Sequence, residues 1–153
     1  MTADNINNKP LIFLSIDNIW AESILKENKK YEYRRQPPKI KPPYYVMLYS
    51  TKDVSAIVGS FKTEKIYNLY INELISKTID DTPHKTSDIK SYFKGKDKGA
   101  AIRIDKTIKY DKPIPIEYIN SIDEDFTVPQ NFRYIKPNRD EKLFFELHRH
   151  IKI

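Results

Sequence analysis

The chain has 153 residues, with 27 Lys and Arg against 21 Asp and Glu, a formal net charge of +6 at pH 7. That length suits one domain, and 39% hydrophobic residues, with eleven tyrosines and seven phenylalanines, supply a core and exclude disorder throughout. Cysteine is absent, which excludes disulfide scaffolds, Cys-ligated zinc and thiol chemistry. No apolar run approaches the ~20 residues of a membrane helix, and the opening MTADNINNKP lacks a signal-peptide pattern. A cytoplasmic single domain over residues 1–153, without membrane contact, is expected.

In chain order, the apolar run Pro10 to Ile16 reads as a buried strand. Asp17 then fits an N-cap, and Ile19, Trp20, Ile24 and Leu25 fall on one helical face, with Asn28 expected to take the left-handed conformation that ends the helix. Lys29 to Arg35 alternates: Tyr31 and Tyr33 point to one side, Lys30, Glu32 and Arg34 to the other, as in a strand. The loop QPPKIKPP is too rich in proline to continue it. Tyr44 to Tyr49 and Val54 to Phe61 are the next strands, and the first of them is expected beside Lys29–Arg35.

Ile66, Tyr70 and Leu74 recur at four-residue spacing, which predicts a helix over Glu64 to Lys77. A short helix capped at Thr86 or Ser87 carries Ile89, Tyr92 and Phe93. Gly99 to Ile104 and Thr107 to Tyr110 are predicted strands, with Pro113 and Pro115 stopping the ladder. VPQNFRY reads as loop. Asn138 with Glu141 resembles a capping box for a terminal helix over 138–151, with Leu143, Phe144, Leu147 and Ile151 on one face. The sum is an α+β domain with a small curved or closed sheet of five to six strands flanked by helices.

The charge is uneven. Between Lys26 and Lys41 seven basic residues face two acidic ones, so this segment holds five of the six excess charges. Interleaved with Tyr31 and Tyr33, it is the pattern of a polyanion site, where cations displace counterions from phosphates and rings stack on bases. The three histidines have no metal-ligand spacing, and no Gly-rich phosphate loop, G-x-S-x-G elbow or H-E-x-x-H occurs, so neither metal nor cofactor is expected. Ser15 reads as a polar residue closing its strand.

The order of strand, helix, turn and basic strand in LSIDNIWAESILKENKKYEYRR resembles the opening of an ASCH domain, a branch of the PUA-like β-barrel superfamily. Lys29, Glu32 and Arg34 stand at the family's motif lysine, acidic or hydroxyl residue and arginine. YVMLYSTKDVSAIVGSF, FKGKDKGAAIRI, YDKPIPI and PQNFRY continue the likeness over about residues 11–135, and resemble longer bacterial and archaeal members labelled transcriptional regulators. The family glycine before the motif lysine is here Glu27-Asn28. The resemblance implies a PUA-like barrel with a cleft for RNA or a modified nucleobase. Some compact relatives hydrolyse acylated cytidine with the lysine, a threonine three positions on and a distant glutamate; Glu32 stands where that threonine belongs.

The expected function is therefore nucleic-acid binding, RNA or a modified nucleotide before DNA, in a cleft lined by Lys29, Glu32 and Arg34, with Lys30, Arg35, Lys39 and Lys41 around it holding phosphates. Glu32 would accept from a base amine while Arg34 and Lys29 bind carbonyl or phosphate oxygens. The alternatives are a hydrolase of acylated cytidine or RNA, with Lys29 and Glu32 catalytic, and a protein-interaction factor using the basic segment and terminal helix.

Overall fold

The run after Pro10 becomes β1 (Leu11–Ile16), every residue of which is buried in the computed structural model, which describes residues 5–151. β1 sits inside a five-stranded sheet, parallel to β3 (Tyr44–Ser50) and antiparallel to β8 (Phe132–Ile135). The order is β7-β4-β3-β1-β8, where β4 is Ala56–Thr63 and β7 is Lys106–Pro115. Both faces of this sheet are covered, which is why β1 reads as unbroken apolar sequence rather than alternation. Leu11 and Phe13 pack with α4 (Ile116–Ile122) and α5 (Glu141–His148) through Ile119, Leu143, Phe144 and Leu147. Ile12, Leu14 and Ile16 face α1 (Asn18–Leu25) through Ala21 and Ile24.

A second sheet of three strands has the order β2-β6-β5: Tyr31–Arg34, Lys98–Arg103 and Ile66–Tyr70. One face carries Tyr31, Tyr33, Tyr67 and Leu69, and packs on α2 (Ile71–Thr78) and α3 (Thr86–Tyr92) through Leu74, Ile75 and Ile89. Its other face carries Glu32 and, through Ile66 and Ile102, joins the cluster under α1. The α+β class and the terminal helix stand as expected. Among the described residues eight strands stand where five to six were counted from sequence.

Several local expectations are corrected. β2 does not lie beside β3; it pairs with β6, from Tyr31 opposite Arg103 to Arg34 opposite Ala100. Its aromatic face is buried by α2 and α3, and the proline-rich stretch 37–43 carries the chain across to the large sheet. The helix expected over Glu64–Lys77 is a strand followed by a helix starting at Ile71. Ile-Tyr-Asn-Leu-Tyr suits a strand in composition, and Tyr70, 57% exposed, does not belong to an apolar helical stripe. β7 runs through Pro113 to Pro115. Among the described residues it pairs only with β4, on an edge where a proline's missing N–H is harmless, and the register shift between Ile57 and Gly59 absorbs the irregular stretch.

FRYI within the expected loop is β8, too short to show a period. At the end of α1 the left-handed residue is Glu27 (φ 62°), not Asn28. Asn28 N–H bonds Ser23 O and Glu27 N–H bonds Ile24 O, a Schellman turn. The Asn138–Glu141 capping box does not form. α5 spans Glu141–His148 rather than 138–151, with Asp140 at the N-cap position and its carboxylate taken by Lys136 N–H and Arg139.

Candidate functional site

The Schellman turn reverses the chain immediately after α1, so that Lys29 enters the protein just before β2. Glu32 and Arg34, two apart on that strand, share its non-aromatic face. Lys29 Nζ donates to Glu32 Oε1 at 2.9 Å, and Arg34 Nε donates to Glu32 Oε2 at 2.9 Å, with Nη2 at the same distance. Lys29 and Glu32 are each 5% exposed. Burial would push the Glu32 carboxyl up, but Lys29 and Arg34 together outweigh it and hold it below its ordinary 4.5. The group is ionised at neutral pH, so two cations share one anion and the cluster keeps one net positive charge.

These three residues form part of the wall of a cavity of about 460 Å³ between the end of β1, α1, β2, α3 and the loop preceding β8. Trp20 lines it from α1, with Lys29 Nζ 5.2 Å from its ring centroid, a cation–π distance. His84 lies 4.6 Å from Trp20 and 6.0 Å from Tyr33, ring centre to ring centre. Burial, then the Lys29 charge, lowers the His84 pKa from 6.5, against a smaller opposing pull from Glu32. His84 is therefore neutral at pH 7. Tyr92, 42% exposed, stands at the α3 side.

Ser15, a plain strand-closing residue from sequence, fastens the opposite rim. Its Oγ donates to Pro129 O at 2.7 Å and its N–H to Asn131 O at 2.9 Å, placing Gln130 and Asn131 at the cavity. Tyr31 and Tyr33 are buried among the α2 and α3 side chains, and Tyr33 also touches the cavity. Trp20, His84 and Tyr92 come from three separate elements and carry no shared sequence signal.

The structure brings Lys29, Glu32 and Arg34 together. Lys30, Arg35, Lys39 and Lys41 are exposed and lie outside the cavity wall. Arg35 Nη1 donates to Tyr92 O at 3.0 Å and Lys94 O at 2.8 Å. The Lys39 N–H donates to the Tyr134 hydroxyl, and Lys9 Nζ to Lys41 O. Glu32 has less freedom than expected: each of its oxygens accepts one hydrogen bond, from Lys29 and from Arg34 Nε, and Arg34 Nη2 lies within ion-pair distance of the second. It braces two cations more than it offers an acceptor. Among the described residues no group of three His, Asp or Glu side chains is gathered to hold a metal, and no helix is long and apolar enough to cross a membrane.

No protein-family model matches the chain. It is 23% identical over 132 residues to an ASCH domain-containing ribonuclease of Zymomonas mobilis, covering 84% of this chain and 88% of that protein. The crystal structure of the Zymomonas mobilis ASCH protein matches with a TM-score of 0.78 and 22% identity, over 87% of this chain and 92% of that one. A tyrosine-to-phenylalanine variant of it matches at 0.81 and 20%, over 91% and 96%. The ordered motifs, the alignment along most of both chains and the common α+β fold agree: this chain is similar to the Zymomonas mobilis ASCH protein and shares its fold.

Proposed function

We propose that this protein binds single-stranded RNA, with one nucleotide seated over Lys29, Glu32 and Arg34. The observation that carries this reading is that Lys29 and Arg34, both largely buried, share the single carboxylate of Glu32 in the wall of an open, aromatic-lined cavity whose other carboxylates, Asp17 and Asp88, are exposed to solvent. Donors left on Lys29 and Arg34 suit a phosphate or a base carbonyl, and the Trp20 and Tyr92 rings offer surface to a base. The volume falls within the roughly 300–1,000 Å³ of small-ligand pockets. RNA is preferred to DNA because the Zymomonas relative is named a ribonuclease. An unpaired nucleotide is preferred to a duplex, whose deep groove side chains cannot read.

RNA cleavage is the second reading, favoured by His84. A neutral imidazole beside Lys29 can take the proton of a ribose 2′-hydroxyl; the 2′-oxygen then attacks phosphorus, and the 5′-oxygen leaves with a proton from solvent. Lys29 and Arg34 would stabilise the charge developing on the phosphorane. Hydrolysis of acylated cytidine has less support, since Glu32 is committed to both cations.

The test is fluorescence titration of a mixed-sequence single-stranded RNA and its DNA counterpart against wild type, Lys29→Ala and Trp20→Ala, with folding checked by circular dichroism. RNA should bind more tightly than DNA, and each variant should lose about tenfold or more, as expected for a charged hydrogen bond or a stacked ring worth 1–3 kcal/mol. Equal weakening of RNA and DNA, or none, sinks the reading. Wild-type cleavage that vanishes in His84→Ala while RNA affinity survives would establish the second reading.

A further inference from the structure

The face of the small sheet that carries Glu32 and Arg34 does not end at the cavity. Along β6, Ile102 lies opposite Glu32 and Ile66, Ala100 opposite Arg34 and Asn68, and Lys98 opposite Tyr70. Directly paired residues share a face, and each step of two residues advances about 6.7 Å, so Lys98 and Tyr70 continue the row on which Arg34 stands. Ala100 is small, and a depression of about 470 Å³ opens there, lined by Arg35, Asn68, Lys96, Lys98 and Ala100 among others. Asp97 is its one acidic lining residue.

Two of its cations are held in place. Arg35 Nη1 is anchored on the carbonyls of Tyr92 and Lys94 at the end of α3, and among the described residues its Nε and Nη2 have no partner. Lys98 Nζ sits 4.7 Å from the centroid of the Tyr70 ring, whose residue is 57% exposed. Lys96 is exposed beside them. Tyr92, whose carbonyl holds Arg35, also lines the cavity, and Arg34 and Arg35 are consecutive, so the two openings share a rim.

We infer that this depression is a phosphodiester subsite: RNA leaving the nucleotide cavity lays its next one or two phosphates across Arg35, Lys96 and Lys98. The inference rests on the RNA-binding reading above and adds the direction the strand takes. It also moves the phosphate contacts from Lys39 and Lys41, which do not line the depression, to Arg35 and the segment between α3 and β6. Charge complementarity selects the occupant, since a chain with regularly spaced anions matches anchored cations in a row and a neutral peptide does not.

The probes are a nucleoside monophosphate series and a mixed-sequence hexaribonucleotide, each titrated at several salt concentrations against wild type, Lys96→Glu/Lys98→Glu and Lys96→Gln/Lys98→Gln. Both lysines are exposed, so thermal midpoints should stay unchanged. Hexamer affinity should fall about tenfold or more in the charge-reversed protein and less in the neutralised one. The log–log salt slope should shrink by about 1.4 for two lost phosphate contacts, while monophosphate affinity stays within about twofold. A hexamer affinity and slope like wild type, with Lys29→Ala still weakening both probes, would overturn the subsite and leave the cavity standing. Absence of RNA binding by wild type would overturn both.

Discussion

Replacing Glu32 by Gln asks how much of this fold rests on one carboxylate. In wild type the Lys29 ammonium is 5% exposed and the Arg34 side chain 13%, and both depend on Glu32 for their negative partner. Gln keeps the volume and can still present one carbonyl oxygen to Lys29. Its NH2 group then faces the Arg34 fork, donor against donor, and the buried ammonium has no counter-charge. Breaking a buried ion pair in this way destabilises by about 3–5 kcal/mol. The retained carbonyl places the expected loss near the lower end, about 3 kcal/mol. The sharper measurement is a double-mutant cycle with Lys29→Met by urea denaturation at constant m-value. Lys29→Met removes the buried charge and also its cation–π contact with Trp20, but that contact is lost equally in both arms of the cycle. The coupling energy should be about 2 kcal/mol. The pH dependence has a definite sign: the folded Glu32 pKa lies below 4.5, so its contribution is present above pH 4.5 and is lost as pH falls through the folded value. A loss under about 1 kcal/mol, typical of exposed pairs, or additive single mutants would refute the picture of a buried, shared carboxylate.

Glu27→Gly should stabilise the protein by about 0.5–1 kcal/mol in chemical denaturation, because a left-handed residue with φ 62° carries a Cβ penalty that glycine avoids. An unchanged or lowered midpoint would count against it. His148 predicts an acid-sensitive step above the carboxylate range. Burial lowers its pKa below 6.5, and its Nε2 is buried without a partner among the described residues, packed near the rings of Tyr45 and Phe144. The unfolded chain therefore binds the proton more readily. Its stabilising contribution is present above pH 6.5 and is lost as pH falls through the folded value, so stability should decline as pH falls below 6.5, and His148→Phe should flatten that decline. The same slope in the variant would assign the effect to another group, His84 first.

What was legible in the sequence followed the range over which residues act. β1, α1, β2 and the terminal helix announce themselves because their burial is decided within one element, and Lys29, Glu32 and Arg34 lie close enough along the chain for one turn and one strand to join them. β5 was misread because Ile66, Tyr70 and Leu74 happen to repeat at helical spacing across a strand–helix junction. Nothing local shows that Tyr67 and Leu69 face α2 and α3. His84 and Trp20 are 64 residues apart and meet only because the turn before α3 reaches the α1 side of the cavity. Lys96 and Lys98 precede the strand expected from Gly99, and only the pairing of β6 with both β2 and β5 puts Lys98 on the row of Arg34. Lys39 and Lys41, by contrast, are near that row in sequence but outside the depression, because the prolines between Arg34 and Tyr44 carry the chain to the other sheet, where the Lys39 N–H meets Tyr134 of β8.

The surplus charge joins stability to function. A buried network kept only for structure is satisfied by one cation and one anion, and a second cation adds repulsion and desolvation that burial does not return. Here Lys29 and Arg34 both crowd Glu32, and the neighbouring histidine is held neutral partly by Lys29. Such a cluster is strained toward an anion while its own carboxylate prevents collapse: Glu32 fixes where the two donors point, at an opening of nucleotide size whose other carboxylates, Asp17 and Asp88, stand exposed to solvent. Glu32 therefore serves binding through the cations it positions. Its replacement should disturb the arrangement of Lys29 and Arg34 together, whereas replacing Trp20 should remove ring surface and leave the charges in place.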